Sequence, residues 1–400
     1  MLDLEKHLKE IIIPFWTSQI DIEHGGFYGL VDNNLVVHKE ANKSIIAHSR
    51  HLYSFSLLYR YFKDETLLKC ATHAYEFLEK AFKDHEHGGY FWQVDYKGKL
   101  ISDTKHVYAQ SFVIYGLSEY AQATQDEDVA SEAYKLFELV ESKTAMKPLM
   151  YTEQNSRTWK EEKNALLSCD PEKYPYTTNT MLHLLESYTN LYLVKPTEKL
   201  QHTIKGFIKG FKETVYNQKD SSFYMFFDKD FNPTFDGKSY GHDIETCWLI
   251  DRSKEVLNIE DSSMDTIIED VVESVYMNGL TDKGLINEKI NGITYYDRIW
   301  WAQVEAMVGF MNQYQKSGIE KYREAVDQIY QFCMDYLVDK RDNSEWFWGY
   351  DQNFELLNRG ISESWKEPYH SVRAVIELLR RGLKWYIKNI ITLSKNKKNY

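Results

Sequence analysis

The sequence predicts an all-α protein, an (α/α)6 barrel of twelve helices with short hairpins or loops on one face. Three observations lead to this fold class. A short aromatic segment recurs six times along the chain, helical periodicity fills the stretches between the copies, and the connections between helices alternate between short and long.

The recurring segment combines a turn with aromatic residues. EHGGFYG begins at Glu23 and EHGGYFW begins at Glu86, and weaker relatives follow: LMYTEQ near 149, SSFYMFFD near 221, KGLINEK near 283 and EWFWGYD near 345. Each copy is predicted to be a small hairpin or loop. Regular recurrence of this kind indicates an array of similar structural units.

Helices are predicted between these copies, at 3–17, 44–62, 66–82, 105–124, 127–143, 177–194, 197–215, 242–257, 263–277, 298–316, 320–338 and 367–389. The links after the even-numbered helices are short, which produces antiparallel helical hairpins. Six hairpins with all long loops on one side predict a closed ring, in which the first helix pairs with the last. We expect one catalytic domain at 1–389 and a polar, basic tail at 390–400.

Composition and charge exclude several classes of protein. The formal net charge of −12 disfavours nucleic acid and acidic membranes as partners. The N-terminus lacks the apolar core of a signal peptide, and no stretch is long and apolar enough for a membrane span. The four cysteines are scattered, which indicates reduced, buried thiols. We therefore expect a cytoplasmic protein. A monomer or a weak homodimer is a separate expectation.

The aromatic content is high, at 15% of the residues. A large aromatic core accounts for part of it, because aromatic side chains bury large areas. A carbohydrate site is the second interpretation, since aromatic faces stack on the C–H faces of sugars.

Polar and aromatic clusters lie at the N-terminal ends of the even-numbered helices. In an (α/α)6 barrel these helices form the inner ring and run in one direction, so their N-termini meet at one mouth and favour anionic species there. A lone buried histidine is usually a satisfied core residue, but six such clusters at one place are costly to bury. The clusters contain His48 and Arg50; His106 and Tyr108; Asn179 and His183; His242, Glu245 and Trp248; Arg298, Trp301 and Glu305; and Trp365 and His370.

Spacing within the helices leaves two interpretations of the carboxylates open. Glu245 lies three residues after His242 and could hold its ring. Alternatively, Glu245 and Glu305 are ion-pair partners of an arginine such as Arg298 or Arg373. Motifs for nucleotides, phosphate, zinc or a nucleophilic serine are absent from the sequence. Acid–base chemistry by histidine or carboxylate, without a cofactor or a metal, is therefore expected.

Six segments, in their order and spacing, resemble the N-acylglucosamine 2-epimerase superfamily and within it the cellobiose 2-epimerases. The segments are AHSRHLYSF, DTKHVYAQSF, NTMLHLLESY, SYGHDIETCWL, RIWWAQVEAMVGF and EPYH, and the resemblance runs from about Ile12 to Arg381. It implies that His242 and His370 are the acid–base pair, that His183 assists at the reacting centre, and that Arg50 faces the substrate oxygens. It also implies that the substrate is bound by Tyr108, Asn179, Glu245, Trp248, Trp301, Glu305 and Trp365.

The activity that the resemblance implies is epimerisation at C2 of a reducing-end aldose through an enediolate, with β-1,4-linked disaccharides such as cellobiose as substrates. The lead-in YPYTTN and the loop before it depart from the cellobiose 2-epimerase pattern. A mannose 2-epimerase, an N-acylglucosamine 2-epimerase or an aldose–ketose isomerase is therefore an alternative. A glycoside hydrolase is a further one, using two carboxylates, either Asp243 with Glu305 or Glu245 with Glu153.

Overall fold

Twelve α-helices in six antiparallel pairs make up the computed structural model, which describes residues 4–147 and 149–382. The first helix, α1 (4–18), contains a π-helical stretch at Leu8–Ile12. The others are α2 (Ile45–Phe62), α3 (Glu65–Phe77), α4 (Val107–Thr124), α5 (Glu127–Thr144), α6 (Thr178–Tyr192), α7 (Glu198–Gly210), α8 (Tyr240–Leu257), α9 (Ser262–Asn278), α10 (Trp300–Ser317), α11 (Glu320–Phe332) and α12 (Tyr369–Arg380). The predicted helix count is confirmed. The predicted end of the last helix and the tail at 390–400 lie outside the described residues.

The short links between helices end one helix and start the next within a few residues. Helix α2 ends at Lys63 in the left-handed conformation, with φ of 59°. Asp64 then caps α3, because its side chain accepts a hydrogen bond from Thr66 N. Gln125 and Asp126 repeat this arrangement between α4 and α5. These tight turns fold each outer helix back along its inner partner.

The even-numbered helices form a closed inner ring. Each contacts the next in the order α2, α4, α6, α8, α10, α12, and α12 packs against α2. Their residues are buried almost all round; in α2 the buried stretch runs without a gap over 45–58. The odd-numbered helices are amphipathic and lie outside this ring. Helix α1 packs against α12, so the predicted pairing of the first and last helices is confirmed.

Each long connection begins with the predicted aromatic hairpin. The hairpins are closed by the antiparallel bridges Ile20↔Phe27, Lys83↔Tyr90, Ala145↔Tyr151, Tyr216↔Phe223, Leu280↔Leu285 and Val338↔Trp346. In four of these hairpins, a backbone N–H donates a hydrogen bond to a side chain of the inner helix that follows. The accepting residues are His48, Gln110, Asp243 and Gln303, each four residues after its N-cap.

Short antiparallel strands link neighbouring repeats around the mouth. The two or three residues before an inner helix pair with the long connection that follows the next, outer helix, as in Lys43–Ser44 with Gln93–Val94. Val31 pairs with Ser362 to close the circle. The strands of the described residues are Lys43–Ser44, Gln93–Val94, Leu100–Ser102, Lys105–His106, Ala145–Lys147, Met150–Tyr151, Gln154–Asn155, Glu161–Glu162, Tyr176–Thr177, Tyr216–Asn217, Ser222–Phe223, Phe226–Phe227, Gly237–Ser239, Leu280–Thr281, Gly284–Leu285, Glu288–Ile290, Ile293–Tyr295, Arg298–Ile299 and Gly349–Tyr350.

The four cysteines lie in two different environments. Cys70, Cys247 and Cys333 are buried and unpaired, as expected, but Cys169 is exposed, since it lies in the long connection between α5 and α6 rather than in a helix. Among the described residues, none of the helices combines the length and the apolar character that crossing a bilayer requires.

Candidate active site

A cavity of about 440 Å³ opens between the N-terminal ends of the inner helices. Its size falls within the range of small-molecule sites, roughly 300 to 1,000 Å³. The predicted site residues on its wall are Arg50, Tyr108, Asn179, His183, His242, Glu245, Trp301, Trp365 and His370, and Leu166, Leu167, Trp300, Trp348 and Arg359 complete it.

The helical register explains why these side chains meet. His242, Trp301 and His370 lie two or three residues after the N-caps of α8, α10 and α12, and so form one layer at the mouth. Arg50 and His183 lie six residues after the N-caps of α2 and α6, one turn deeper on the same inward face. Parallel inner helices bring equivalent positions to equal depth.

His370 is anchored by a carboxylate from the neighbouring helix. Its Nδ1 lies 2.7 Å from Glu305 Oε1 on α10. When Nδ1 carries the proton and donates it to this carboxylate, the unprotonated Nε2 is left as a base. Burial and the nearby Arg50 and Arg373 hold the pKa of His370 well below its ordinary value. The neutral imidazole is therefore the form present at neutral pH.

His242 is anchored by the cap of its own helix. Its Nδ1 lies 2.9 Å from Ser239 Oγ. Glu245 does not hold this ring, so that interpretation is wrong: Glu245 Oε1 accepts from Arg373 Nη2 instead. Desolvation by the surrounding protein, and secondarily the neighbouring His183, lower the pKa of His242 to about 3. His242 is likewise a neutral base.

The indole of Trp301 lies against both imidazoles. Its ring centroid is 4.6 Å from that of His242 and 5.6 Å from that of His370. The two histidines come from α8 and α12, and Trp301 comes from α10 between them. Two bases from different sides of the ring therefore face one space.

Arg50 provides a fixed positive charge on the cavity wall. Nη1 lies 2.9 Å from Glu367 Oε2, and Nη2 donates to the Tyr108 hydroxyl at 2.8 Å. The guanidinium also stacks 4.1 Å from the Phe112 ring centroid. Burial alone would lower the pKa of Arg50, but the interactions with Tyr108 and Glu367 raise it above its ordinary value. The cation is held in one orientation before any ligand binds.

His183 and Asn179 present further polar atoms. His183 Nδ1 lies 2.9 Å from Glu186 Oε2 on the same helix. The Oδ1 of Asn179 is buried and has no hydrogen-bond partner among the described residues. An unpaired buried acceptor is costly unless a ligand satisfies it, so Asn179 is placed to accept from a ligand hydroxyl.

Two predicted site residues, Trp248 and Glu305, do not line the cavity. They lie in the layer beneath it, where Trp248 Nε1 donates to Glu305 Oε2 at 3.1 Å. Glu305 also accepts from Arg373, which makes Arg373 the arginine partner of Glu245 and Glu305. Arg298 has a different role, because it donates to the backbone carbonyls of Lys283 and Tyr296.

Oxygen and nitrogen atoms of Glu245, Glu305 and His370 lie within 4.8 Å of one another, close enough to surround a metal ion. Arg373 Nη2, however, lies 2.6 Å from Glu245 and 2.7 Å from Glu305. A guanidinium already neutralises these carboxylates, so the donor set does not fit a divalent cation alongside Arg373.

The carboxylates nominated for a hydrolase are not paired across the cavity. Asp243 Oδ1 accepts from Phe223 N and ties a hairpin. Glu153 accepts from the side chains of Thr177 and Thr180 at the start of α6. Among the described residues, Glu245 is the only carboxylate that lines the cavity. A hydrolase that uses two carboxylates would need a second carboxylate on the cavity wall, and the described residues do not provide one.

Sequence reasoning missed Trp348, Arg359 and Glu186. Trp348 and Arg359 lie in the connection between α11 and α12, where the guanidinium stacks 3.8 Å from the indole. Such a connection has no helical periodicity from which to infer an inward face. Glu186 did carry a signal, since it lies three residues after His183 on one helical face.

A family sequence model, curated relatives and solved structures all relate this chain to sugar 2-epimerases. Residues 25–374 match the sequence model of the family described as N-acylglucosamine 2-epimerase (GlcNAc 2-epimerase). A cellobiose 2-epimerase of Dictyoglomus turgidum is 39% identical over 95% of this chain and 98% of its own length, and one of Ruminococcus albus is 37% identical over the same shares. The solved structure of cellobiose 2-epimerase from Bacillus thermoamylovorans superposes with a TM-score of 0.92 and 40% identity, covering 94% of this chain and 98% of the other.

Proposed function

Since the chain belongs to the N-acylglucosamine 2-epimerase family, we propose that it is a sugar 2-epimerase acting on the reducing-end aldose of β-1,4-linked disaccharides such as cellobiose. The observation that carries the proposal is the pair of imidazoles, His242 and His370, which flank Trp301 with their Nδ1 atoms anchored. Inversion of a carbon centre is simplest with one base on each face, and neutral imidazoles suit that role.

The reaction begins with the open-chain aldose, whose C1 carbonyl acidifies the hydrogen at C2. One imidazole removes this proton, the C–H electrons form a C1–C2 double bond, and negative charge develops on the C1 oxygen. Arg50, fixed against Glu367 and Tyr108, is positioned to stabilise this oxygen without rearrangement. Asn179 and His183 bind the neighbouring oxygens of the enediolate.

The second imidazole returns a proton to the opposite face of C2. Its Nε2 takes that proton from solvent once the enediolate charge has formed, and the first imidazole releases the abstracted proton to solvent, so the product carries solvent hydrogen at C2. Gluco and manno configurations thereby interconvert, and either histidine serves as base according to direction. Every catalytic group in these reaction steps is a side chain of the protein. We therefore expect activity without added metal or nucleotide.

The first test offers a panel of sugars in deuterated water and identifies the products by NMR. We expect cellobiose to give its 2-epimer with deuterium at C2, before and after dialysis against a chelator. Glucose, mannose and N-acetylglucosamine are tested alongside cellobiose. The sugar that reacts fastest distinguishes a cellobiose 2-epimerase from a mannose 2-epimerase or an N-acylglucosamine 2-epimerase. Release of monosaccharides from cellobiose, or activity that returns only with a divalent ion, contradicts the proposal.

The pH dependence follows from the lowered histidine pKa values. Protonation removes a base, and desolvation lowers the pKa of His242 to about 3 from its ordinary 6.5. In the free enzyme this base therefore stays neutral as the pH falls through 6.5. We expect the acid limb of kcat/KM, which reports the free enzyme, to lie well below pH 6.5. A limb at 6.5 or above contradicts the account.

A further inference from the structure

Arg373 lies beneath the cavity and links the partners of two cavity histidines. Its Nη1 contacts Glu186 Oε1, and its Nη2 lies 2.7 Å from Glu305 Oε1. Glu186 in turn holds His183, and Glu305 holds His370. We propose, resting on the proposed function, that Arg373 is a positioning residue that fixes the tautomers of His183 and His370 together through these two carboxylates.

The network is closed and almost free of solvent. The side chains of Arg373, Glu186 and Glu305 are each no more than 2% exposed. Tyr369, one helical turn before Arg373, donates to both oxygens of Glu186 at 2.7 Å. Glu186 contacts the guanidinium through Oε1 and His183 Nδ1 through Oε2, whereas Oε1 of Glu305 contacts both the guanidinium and His370 Nδ1. No other cation contacts Glu186 or Glu305 among the described residues.

The tautomer depends on whether each carboxylate is ionised. An ionised carboxylate only accepts, so the imidazole must place its proton on Nδ1 and leave Nε2 as a lone pair. A protonated carboxyl donates instead, and the proton then shifts to Nε2. In that state His370 presents an N–H toward the substrate and no longer acts as a base. One buried guanidinium thus decides what both rings present to the cavity.

The ionisation of Glu186 and Glu305 depends on the positive charge of Arg373. Burial raises the pKa of Glu305, and the guanidinium is the first influence that opposes it. Burial also favours the neutral form of Glu186, yet Arg373 and then His183 lower the pKa of that carboxyl to about 2. Without the cation, burial would dominate at both carboxylates.

The alternative is that Arg373 only stabilises the fold through its ion pairs. Three conservative variants separate the two roles: Arg373→Lys, Glu186→Gln and Glu305→Gln. Lysine keeps a charge but cannot bond two carboxylates with one planar fork. If Arg373 sets the tautomers, Glu186→Gln should disturb only His183, Glu305→Gln only His370, and Arg373→Lys both. A purely structural role has no reason to produce this pattern.

The experiment measures imidazole nitrogen shifts by NMR in the full-length protein without substrate, with His183→Asn and His370→Asn as assignment references. We expect Nε2 to be unprotonated on both rings in the wild type. Glu186→Gln should change this state only in His183, Glu305→Gln only in His370, and Arg373→Lys in both. With substrate, Arg373→Lys should lower kcat by about 10²-fold, at the lower end of acid–base contributions, with little change in KM. Arg381→Gln is the matched control and should keep both signatures, because Arg381 lies at the C-cap of the same helix but is bonded to Asn312 and Gln315.

Wild-type tautomers on both rings in folded Arg373→Lys overturn the inference, as does an effect on KM alone. The nitrogen shifts do not depend on any substrate. A wild-type protein that fails to epimerise sugars but shows the expected tautomer pattern would refute the proposed function and leave the role of Arg373 standing.

Discussion

Replacing His242 or His370 with asparagine is expected to lower net epimerisation by about 10⁴-fold, the upper end of what one acid–base group contributes. Each ring faces the cavity from its own helix, and Trp301 lies against both. Among the described residues on the cavity wall, the third imidazole, His183, lies one turn deeper. Neither member of the pair has a substitute at its own position.

The two variants should differ in the partial reaction that survives. A variant that keeps one base can still remove the C2 proton from one epimer and return it from the same side. Exchange of the C2 hydrogen with deuterated water should then persist in one epimer without net epimerisation. We expect the exchanging epimer to differ between His242→Asn and His370→Asn. If ring opening also depends on one of the histidines, that variant is silent in both assays.

The measurement is NMR of each purified epimer in deuterated water, with circular dichroism to verify folding. His48→Asn is the matched control for an imidazole on an inner helix. His48 accepts from Phe27 N and does not line the cavity, so its loss should lower stability more than turnover. Substantial net epimerisation in both His242→Asn and His370→Asn would show that the base is another residue, such as His183, Glu245 or Glu305.

Replacing Arg50 with alanine is expected to depress C2 exchange and epimerisation together, in both directions, by about 10³-fold. The reason is that the enediolate is common to both steps, and loss of a preorganised oxyanion donor costs about 10² to 10³ in kcat. Arg50 also carries a buried positive charge, paired with Glu367, and in the proposed mechanism this charge stabilises the developing oxyanion.

Removing Arg50 alone leaves the Glu367 carboxylate buried without its partner, which destabilises a protein. The double variant Arg50→Ala/Glu367→Gln removes that burden, and Glu367→Gln alone is the control. Deuterium exchange and epimer formation are measured side by side for each epimer. The double variant should fold and remain inactive in both assays. Exchange at the wild-type rate with epimerisation lost would contradict the role of Arg50.

Much of the fold could be predicted because each repeat carries its own signals. Asp64 and Asp126 are helix caps that can be recognised in the sequence, and the Gly-Gly turns mark the hairpins. What could not be predicted is the pairing between repeats, such as Val31 with Ser362, because contacts distant in the chain leave no local pattern.

The site could be predicted as far as helical register extends. His183, His242 and His370 reach the cavity because they lie within the first two turns of inner helices. Register alone does not separate the cavity wall from the layer beneath it, where Trp248 and Glu305 lie. Whether a carboxylate holds an imidazole or an arginine depends on neighbouring helices. Glu245 therefore pairs with Arg373 and not with His242.

In the proposed mechanism, the two histidines face C2 from opposite sides. The most direct test is a crystal structure with an open-chain disaccharide alditol, which resembles the ring-opened substrate and cannot react. We expect the C2 carbon to lie between the Nε2 atoms of His242 and His370, within direct reach of each, with Arg50 at the C1 oxygen. Both nitrogens on one face of C2, or a carboxylate nearer to C2 than either imidazole, would contradict it.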